Sequence, residues 1–512
     1  MLFNSYEFVF LFFPLMLGGY YIINKIAASF RNGIYDSAIK NGFLMAASMI
    51  FYGWVHPEYL PVLVGSIAVN YALFWQMEKR DKKKAYLYIG LVFDLGCLAF
   101  FKYLGTGSFV PLGISFYTFS QVAFLMESHR GNLKGITALS YGTYVSFFPK
   151  MIQGPIALPG EMLCQFTGEN RKIDWERVYR NLYLFTLGLF KKVLIADTLG
   201  KAVDFGYTNL SVLNSGDALI VMLSYTLQLY FDFSGYCDMA MGAAGILGFE
   251  LPLNFNAPYK AANIVEFWKG WHITLTRFFT KYLYIPLGGN RKGRGRTYVN
   301  YLIVFLVSGI WHGAGWQFIV WGMMHGILYV LTRMWMDTKK ERLNTRGNAQ
   351  MGIKMTKGGQ MCAQTSAGAE NKAGGTEHKL IHKGCVALTF LYVNIAWVFF
   401  RAPSLKEAFE LIKKIFSFHF RKINWNLAGC FNLDEFWYVI KVLKLDSWQY
   451  GHYILMVLIL AAGLLLVFFG QNAVDFVKKV KPDVVHVVIL AVLFVWSILS
   501  LSGVSTFLYV NF

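Results

Sequence analysis

The stretch "SGIWHGAGWQFIVWGMMHG", Ser308 to Gly326, runs for nineteen residues without one Asp, Glu, Lys or Arg. It holds two histidines, three tryptophans and five glycines. Apolar runs of this kind recur along the chain and show no 3.6-residue alternation with polar positions, which marks segments apolar all round. Over 512 residues the chain is 56% hydrophobic and only 15% charged, against about 25% charged in soluble domains. The pattern is that of a polytopic membrane protein. An open sheet would leave backbone groups unsatisfied in lipid, and the runs are too long and unbroken for barrel strands, so helices remain.

A net charge of +19 would suggest nucleic acid in a soluble protein. Here basic loops held on the cytoplasmic side account for it. No nucleic-acid motif accompanies the charge, and no such partner is expected. None of the six cysteines forms a CxxC pair, so neither a disulfide framework nor a metal site is expected. The opening "MLFNSYEFVFLFFPLMLGGYYIINK" has no basic n-region and no small-residue cleavage site, and is read as a retained span.

Further spans are expected near 42–55, 59–76, 85–103 and 111–128, with basic segments after the first, third and fifth. The positive-inside rule makes that side cytoplasmic. "SYGTYVSFFPKMIQGPIALPG" is too short and too broken by Gly and Pro to cross, and fits a re-entrant segment buried in protein. Lys191 and Lys192 are costly at mid-bilayer and should face protein, water or an interface. Residues 215–250 form an apolar run interrupted by "FDFSGYCDMAMG". The basic 260–296 region suggests horizontal or shallow helices on the cytoplasmic side. Spans near 299–316 and 317–336 follow, then a flexible basic cytoplasmic loop over 337–384, then spans near 385–401, 452–470 and 485–510. "SLKEAFELIKKIFSFHF" is amphipathic and suits the membrane surface. The expectation is one membrane domain, 1–512, of about ten or eleven spans.

Seven of the ten histidines lie in loops or at span ends, where a ring reaches water. His272, His312 and His325 sit among apolar residues, and an intramembrane histidine marks a functional site or a structural hydrogen bond. His312 and His325 are 13 residues apart. On one continuous helix that is roughly 220° of rotation and about 20 Å of rise, which separates them; His325 would then pack beside Gly326. His312, next to Trp311 and followed by Gly313, Ala314 and Gly315, has room for close approach. An apolar setting favours its neutral ring, able to take a proton from a hydroxyl. Asp232, Ser234 and Asp238 suggest a polar cavity, or ion ligands and a proton relay as in a transporter. No GxSxG elbow supports a serine nucleophile, and "LGGNRKGRGR" lacks the ending of a P-loop.

The segments "PLGISFYTFSQVAFLME", "FFPKMIQGPI", "GLFKKVLIAD", "FDFSGYCDMAMG", "NFNAPY", "EFWKGWHITLTRFFTKYLYIPLGGNRKG" and "WHGAGWQFIVWGMMHG" occur in that order between residues 111 and 326. Together they resemble the membrane-bound O-acyltransferase (MBOAT) family, in particular its bacterial alginate O-acetylation branch. The resemblance implies a many-helix domain with re-entrant and horizontal helices around a central tunnel. It places the family's central histidine on His312 and the second motif histidine on His272. It also implies a tunnel lined by Asp232, Ser234, Asp238, Gln153, Pro155, Asn256, Trp268, Trp271 and Trp311. Lys269-Gly270, Lys150, Cys237 and Gly315 depart from residues common in that pattern.

The implied activity is acyl transfer, foremost of acetyl, from a cytoplasmic thioester such as acetyl-CoA, with no bound cofactor. The acceptor would be an extracellular or cell-wall polysaccharide, the location a bacterial inner membrane. An extracytoplasmic SGNH-type acetyltransferase is an implied partner beside membrane lipid. His312 would act as general base or carry the acyl group, and His272 would orient the donor or stabilise charge. D-alanyl transfer to teichoic acid is the alternative within the family. A glycolipid or ion-coupled transporter is the alternative of another class.

Overall fold

The computed structural model describes residues 1–27, 33–104, 110–167, 173–355, 375–433, 435, 441–442, 448, 450–502 and 507–508. They form helices, with no strand among the described residues. The first group comprises α1 (Glu7–Ala27), α2 (Gly33–Gly53), α3 (Leu60–Lys79), α4 (Lys83–Leu104) and α5 (Ile114–His129). Three short helices follow: α6 (Ala138–Ser146), α7 (Phe148–Met151) and α8 (Pro159–Phe166). Almost every residue from Ser140 to Pro159 is buried, so this Gly/Pro-broken backbone is shielded by protein, the condition for irregular chain at membrane depth.

The centre is α9 (Trp175–Phe190) packed along α11 (Ser215–Ile246), with a π-helical turn at Lys191–Ala196 and α10 (Asp197–Thr208) between them. At Gly188 an added Cβ would lie 2.5 Å from the carbonyl of Gly235, and at Gly235 it would lie 2.7 Å from that of Gly188. Two glycines thus let the two backbones touch. The polar segment that interrupts the apolar run of 215–250 does not interrupt the helix: α11 is a single helix of 32 residues, about 48 Å at 1.5 Å per residue. Its Asp and Ser side chains are carried inside a protein sheath, so they need no break in the helix.

Short α12 (Ile264–Gly270) and α13 (Ile273–Phe279) precede the hairpin of α14 (Arg294–His312) and α15 (Trp316–Met355). An added Cβ at Gly309 would meet the Phe318 carbonyl at 2.5 Å, and one at Gly322 the Phe305 carbonyl at 2.5 Å. Backbone-to-backbone approach in this hairpin therefore rests on Gly309 and Gly322, while Gly313 makes room for the Phe318 ring. Helix α16 (Gly375–Arg401) continues the core, and α17 (Leu405–Phe416) lies beside it. Helical backbone thus enters both ends of the 337–384 stretch expected as a loop, because Lys, Glu, Arg, Met and Gln carry a helix without an apolar face. Residues 356–374 lie outside the described residues. Shorter α18 (Trp425–Gly429), then α19 (Gly451–Phe469), α20 (Ala473–Val477) and α21 (Val484–Leu499), complete the chain.

Among the described residues five helices are long and apolar enough to cross a membrane: Glu7–Ala27, Pro57–Lys79, Lys83–Leu104, Lys379–Arg401 and Gly451–Phe469. Their outward faces carry Leu15, Val92, Leu388 and Phe469, each more than two-thirds exposed, as lipid contact requires. The protein is a multi-pass membrane protein. The helices around α11 are less apolar because neighbouring helices cover them.

Candidate active site

Helix α14 ends at His312, where Gly313 adopts extended backbone. The last carbonyls of a helix have no intrahelical partner. Here the Lys102 ammonium donates to the Trp311 carbonyl and the Tyr103 hydroxyl to that of Ile310. A cation at a helix C-terminus is favourable in charge as well as in hydrogen bonding. The end of α4 therefore fixes the end of α14, and with it the His312 ring.

The His312 side chain is 3% exposed. Its ring lies 4.5 Å from Trp311, 5.0 Å from Trp321 at 89° and 4.9 Å from Phe400. Lys102 and His272 both act on it electrostatically. The two motif histidines, forty residues apart in sequence, are thus brought within each other's field by separate elements.

His272 sits at the junction of α12 and α13 with φ 44° and ψ 53°. A left-handed β-carbon residue is strained by about 1–2 kcal/mol, and such strain collects at functional sites. The conformation is held by Asn254, whose carbonyl accepts from Ile273 N at 2.9 Å. The Asn254 Oδ1 accepts from Thr274 Oγ1 at 2.8 Å and from Thr274 N at 3.3 Å, and lies 3.0 Å from His272 Nδ1. Its Nδ2 donates to the Cys237 sulfur at 3.2 Å. Because the amide oxygen is the acceptor in this network, Nδ1 must carry the imidazole proton. The other nitrogen, Nε2, is buried with no hydrogen-bond partner among the described residues. Phe233 of α11 stands edge-on to the ring at 4.8 Å. The geometry makes His272 a neutral ring with a bare acceptor atom.

Asn256, expected in the tunnel, is exposed. Asn254 is the asparagine of "NFNAPY" that turns inward, since the 254–256 strip pairs with 270–273 through Asn256 N to Gly270 O and Ile273 N to Asn254 O. The motif offered two asparagines, and only this pairing distinguishes them.

Asp232 and Asp238 are both buried, and both are ion-paired. Lys192 Nζ lies 2.8 Å from Asp232 and 2.8 Å from Asp197, and Lys191 Nζ lies 2.6 Å from Asp238. The expectation that Lys191 and Lys192 face protein holds, and the carboxylates face them. Asp232 also accepts from Leu508 N at 3.1 Å. Ser234 and Gln153 are buried, and neither the Ser234 hydroxyl nor the Gln153 amide has a hydrogen-bond partner among the described residues. Pro155 is buried in the α7–α8 connection.

The break at Gly313–Gly315 overturns the premise that one continuous helix carries His312 and His325. They stand on different helices, yet Trp321 touches both, with ring centroids 5.0 Å from His312 and 5.1 Å from His325. His325 is wholly buried and packed against Trp268 (5.2 Å), Phe267 (6.2 Å) and Trp397 (5.9 Å). Trp271 lies 4.9 Å from Trp397, tilted at 45°, in the same cluster. Beside it lies a cavity of about 260 Å³, lined by Trp268, Lys269, Leu275, Thr276, Phe305 and Ser308 among others. Trp268 therefore lines this cavity, Trp271 packs within the aromatic cluster behind it, and Trp311 adjoins His312. Among the described residues no group of three or more His, Cys, Asp or Glu is placed to hold a metal ion. Sequence reasoning missed Asn254, Lys102, Tyr103 and Trp321. An intramembrane lysine at the end of a span was the available signal for Lys102.

Residues 49–341 match the model of the membrane-bound O-acyltransferase family. The chain is 36% identical to a peptidoglycan O-acetyltransferase of Helicobacter pylori, over 81% of this chain and 79% of that protein. It is 31% identical to a probable alginate O-acetylase, AlgI, of Pseudomonas aeruginosa, over 92% of this chain and 83% of that protein. A teichoic acid D-alanyltransferase of Lacticaseibacillus rhamnosus is 26% identical, over 66% of this chain and 88% of that protein. The chain belongs to the membrane-bound O-acyltransferase family and is an acyltransferase.

Proposed function

We propose that this membrane-bound O-acyltransferase moves acetyl groups from a cytoplasmic thioester, such as acetyl-CoA, toward a cell-wall or extracellular polysaccharide. The observation that carries the reading is the burial of both motif histidines, His272 and His312, each presented by a separate element, with the His272 tautomer fixed by Asn254. His312 takes the proton of an acceptor hydroxyl as its oxygen forms a bond to the thioester carbonyl carbon. The C–S bond then breaks and the thiol leaves. His272, through its bare Nε2, orients a donor N–H or O–H of the substrate. Asp232 and Asp238, paired with lysines, set the polar interior without touching the reacting atoms. Lys269 at the 260 Å³ cavity suits an anionic donor.

In this reading the protein lies in a bacterial inner membrane, with about ten or eleven spans around a tunnel joining the two faces. The acceptor is peptidoglycan first and an alginate-like polymer second, in the order of the relatives' identities. An extracytoplasmic SGNH-type acetyltransferase completes the transfer. The test is gene deletion followed by complementation with the native chain or His312→Ala. Loss of base-labile acetate from isolated peptidoglycan, restored only by the native chain, is expected. Unchanged acetate with lost D-alanine esters would transfer the assignment to teichoic acid.

A further inference from the structure

A cavity of about 500 Å³ lies away from the histidines, where α9, the end of α11 and α20 meet. Its floor is apolar, with Leu184, Met241, Val474 and Val477, and its rim is charged. The rim carries Arg177, Arg180 and Lys478 against Asp174, Glu176 and Glu250, so the two signs balance.

Most of these charges already have partners. Asp174 caps α9, accepting from Glu176 N and Arg177 N at 3.1 Å each. Arg180 pairs with Glu176, and Lys478 with Asp475 at 3.1 Å. Arg177 is the exception. Its Nε and Nη2 are buried and have no hydrogen-bond partner among the described residues, and the Nε of Arg180 beside it is in the same condition. Guanidinium N–H groups held in this way call for an anion with several oxygens, and a phosphate matches the fork. Glu250, exposed at the rim, offers a carboxylate toward a cation nearby. Trp175, 74% exposed at the first turn of α9, is the residue type that anchors at a membrane interface.

The geometry points to a binding site for a zwitterionic glycerophospholipid: its phosphate on Arg177, its ammonium toward Glu250, and an acyl chain along Leu184, Val474 and Val477. The site is separate from the acyl-transfer centre and independent of the acceptor assigned above.

The full chain, purified in detergent and stripped of lipid, is titrated with dioleoyl phosphatidylethanolamine and read by native mass spectrometry. One lipid is expected to bind per chain, with about tenfold weaker binding in Arg177→Gln, as expected for loss of a charge-assisted contact. Arg177→Lys, which keeps the charge without the fork, should fall between them and controls for folding. Lys84→Gln, an exposed change on another element, should bind as the native chain does. Equal binding by Arg177→Gln overturns the site, as does dioleoylglycerol binding as tightly as the phospholipid. Displacement of the lipid by millimolar inorganic phosphate or coenzyme A overturns the lipid assignment, and tighter binding of phosphatidylglycerol overturns the zwitterionic one.

Discussion

Asn254→Ala tests whether the His272 ring is set by its neighbour. Asn254 is fully buried, and its Oδ1 serves three donors, at 2.8, 3.0 and 3.3 Å. The Thr274 hydroxyl can rotate to another acceptor. The His272 Nδ1–H and the Thr274 N–H cannot, and each buried unsatisfied donor costs about 1–3 kcal/mol. Two such donors together give about 2–6 kcal/mol; the amide bond is the longest of the three, so the expected loss of stability is about 3 kcal/mol, in the lower part of that span. The catalytic loss comes from a different source. Without the acceptor, the imidazole proton is free to move to Nε2, which removes the bare acceptor atom. A wrong tautomer costs up to about 10⁴-fold in a serine-protease triad; for a ring held here by one amide, about 10²-fold in kcat is expected. Asn254→Asp keeps an acceptor at Nδ1 and should retain activity within about 10-fold of native. The assay is base-released acetate on isolated polysaccharide, normalised to protein in the membrane, with thermal melting of the purified chain measured alongside. Native acetylation and native melting in Asn254→Ala would refute the argument. A melting loss with native acetylation per folded molecule would refute its catalytic half.

His312→Ala should abolish polysaccharide acetylation at native protein levels; retained acetylation removes the proposed base. Lys192→Met leaves Asp232 buried without its cation and should cost about 3–5 kcal/mol, read by melting. Lys192→Met with Asp232→Leu should recover part of that loss, and no recovery would argue against a coupled pair. Gly322→Val presses a branched side chain against the Phe305 carbonyl and should destabilise by about 1–3 kcal/mol, with activity lost as His312 shifts; native melting would count against the close crossing. His325→Phe keeps the aromatic packing and should leave activity within about twofold and stability within about 1 kcal/mol. A larger loss of activity at native stability would assign chemistry to the His325 nitrogens.

The helical membrane class was legible because apolar runs answer to one local fact, the absence of water in lipid. His272, His312 and His325 were legible as candidates because ionisable rings in apolar segments are costly, and the family resemblance, not that cost, selected His272 and His312. The separation of His312 from His325 was argued on one continuous helix; the chain instead leaves helical conformation at 313–315, and local propensity left that break undecided. Asn254 against Asn256 was beyond reach, since alternation within one motif leaves either free to face inward until the 270–273 backbone docks. The same holds for Asp232 and Asp238. Two acids in an apolar helix are costly alone, and their lysine partners lie about forty residues upstream.

By itself the sequence determined that this chain lives in a membrane as helices and that three histidines, His272, His312 and His325, stand out. Hydropathy and the cost of buried charge depend only on residue type. Tertiary structure alone decided which atoms those histidines present: α4 caps α14 through Lys102 and Tyr103, and Asn254 reaches across to His272. Helix crossings set by touching glycines place these groups together, and a crossing is a property of two elements that neither sequence segment contains.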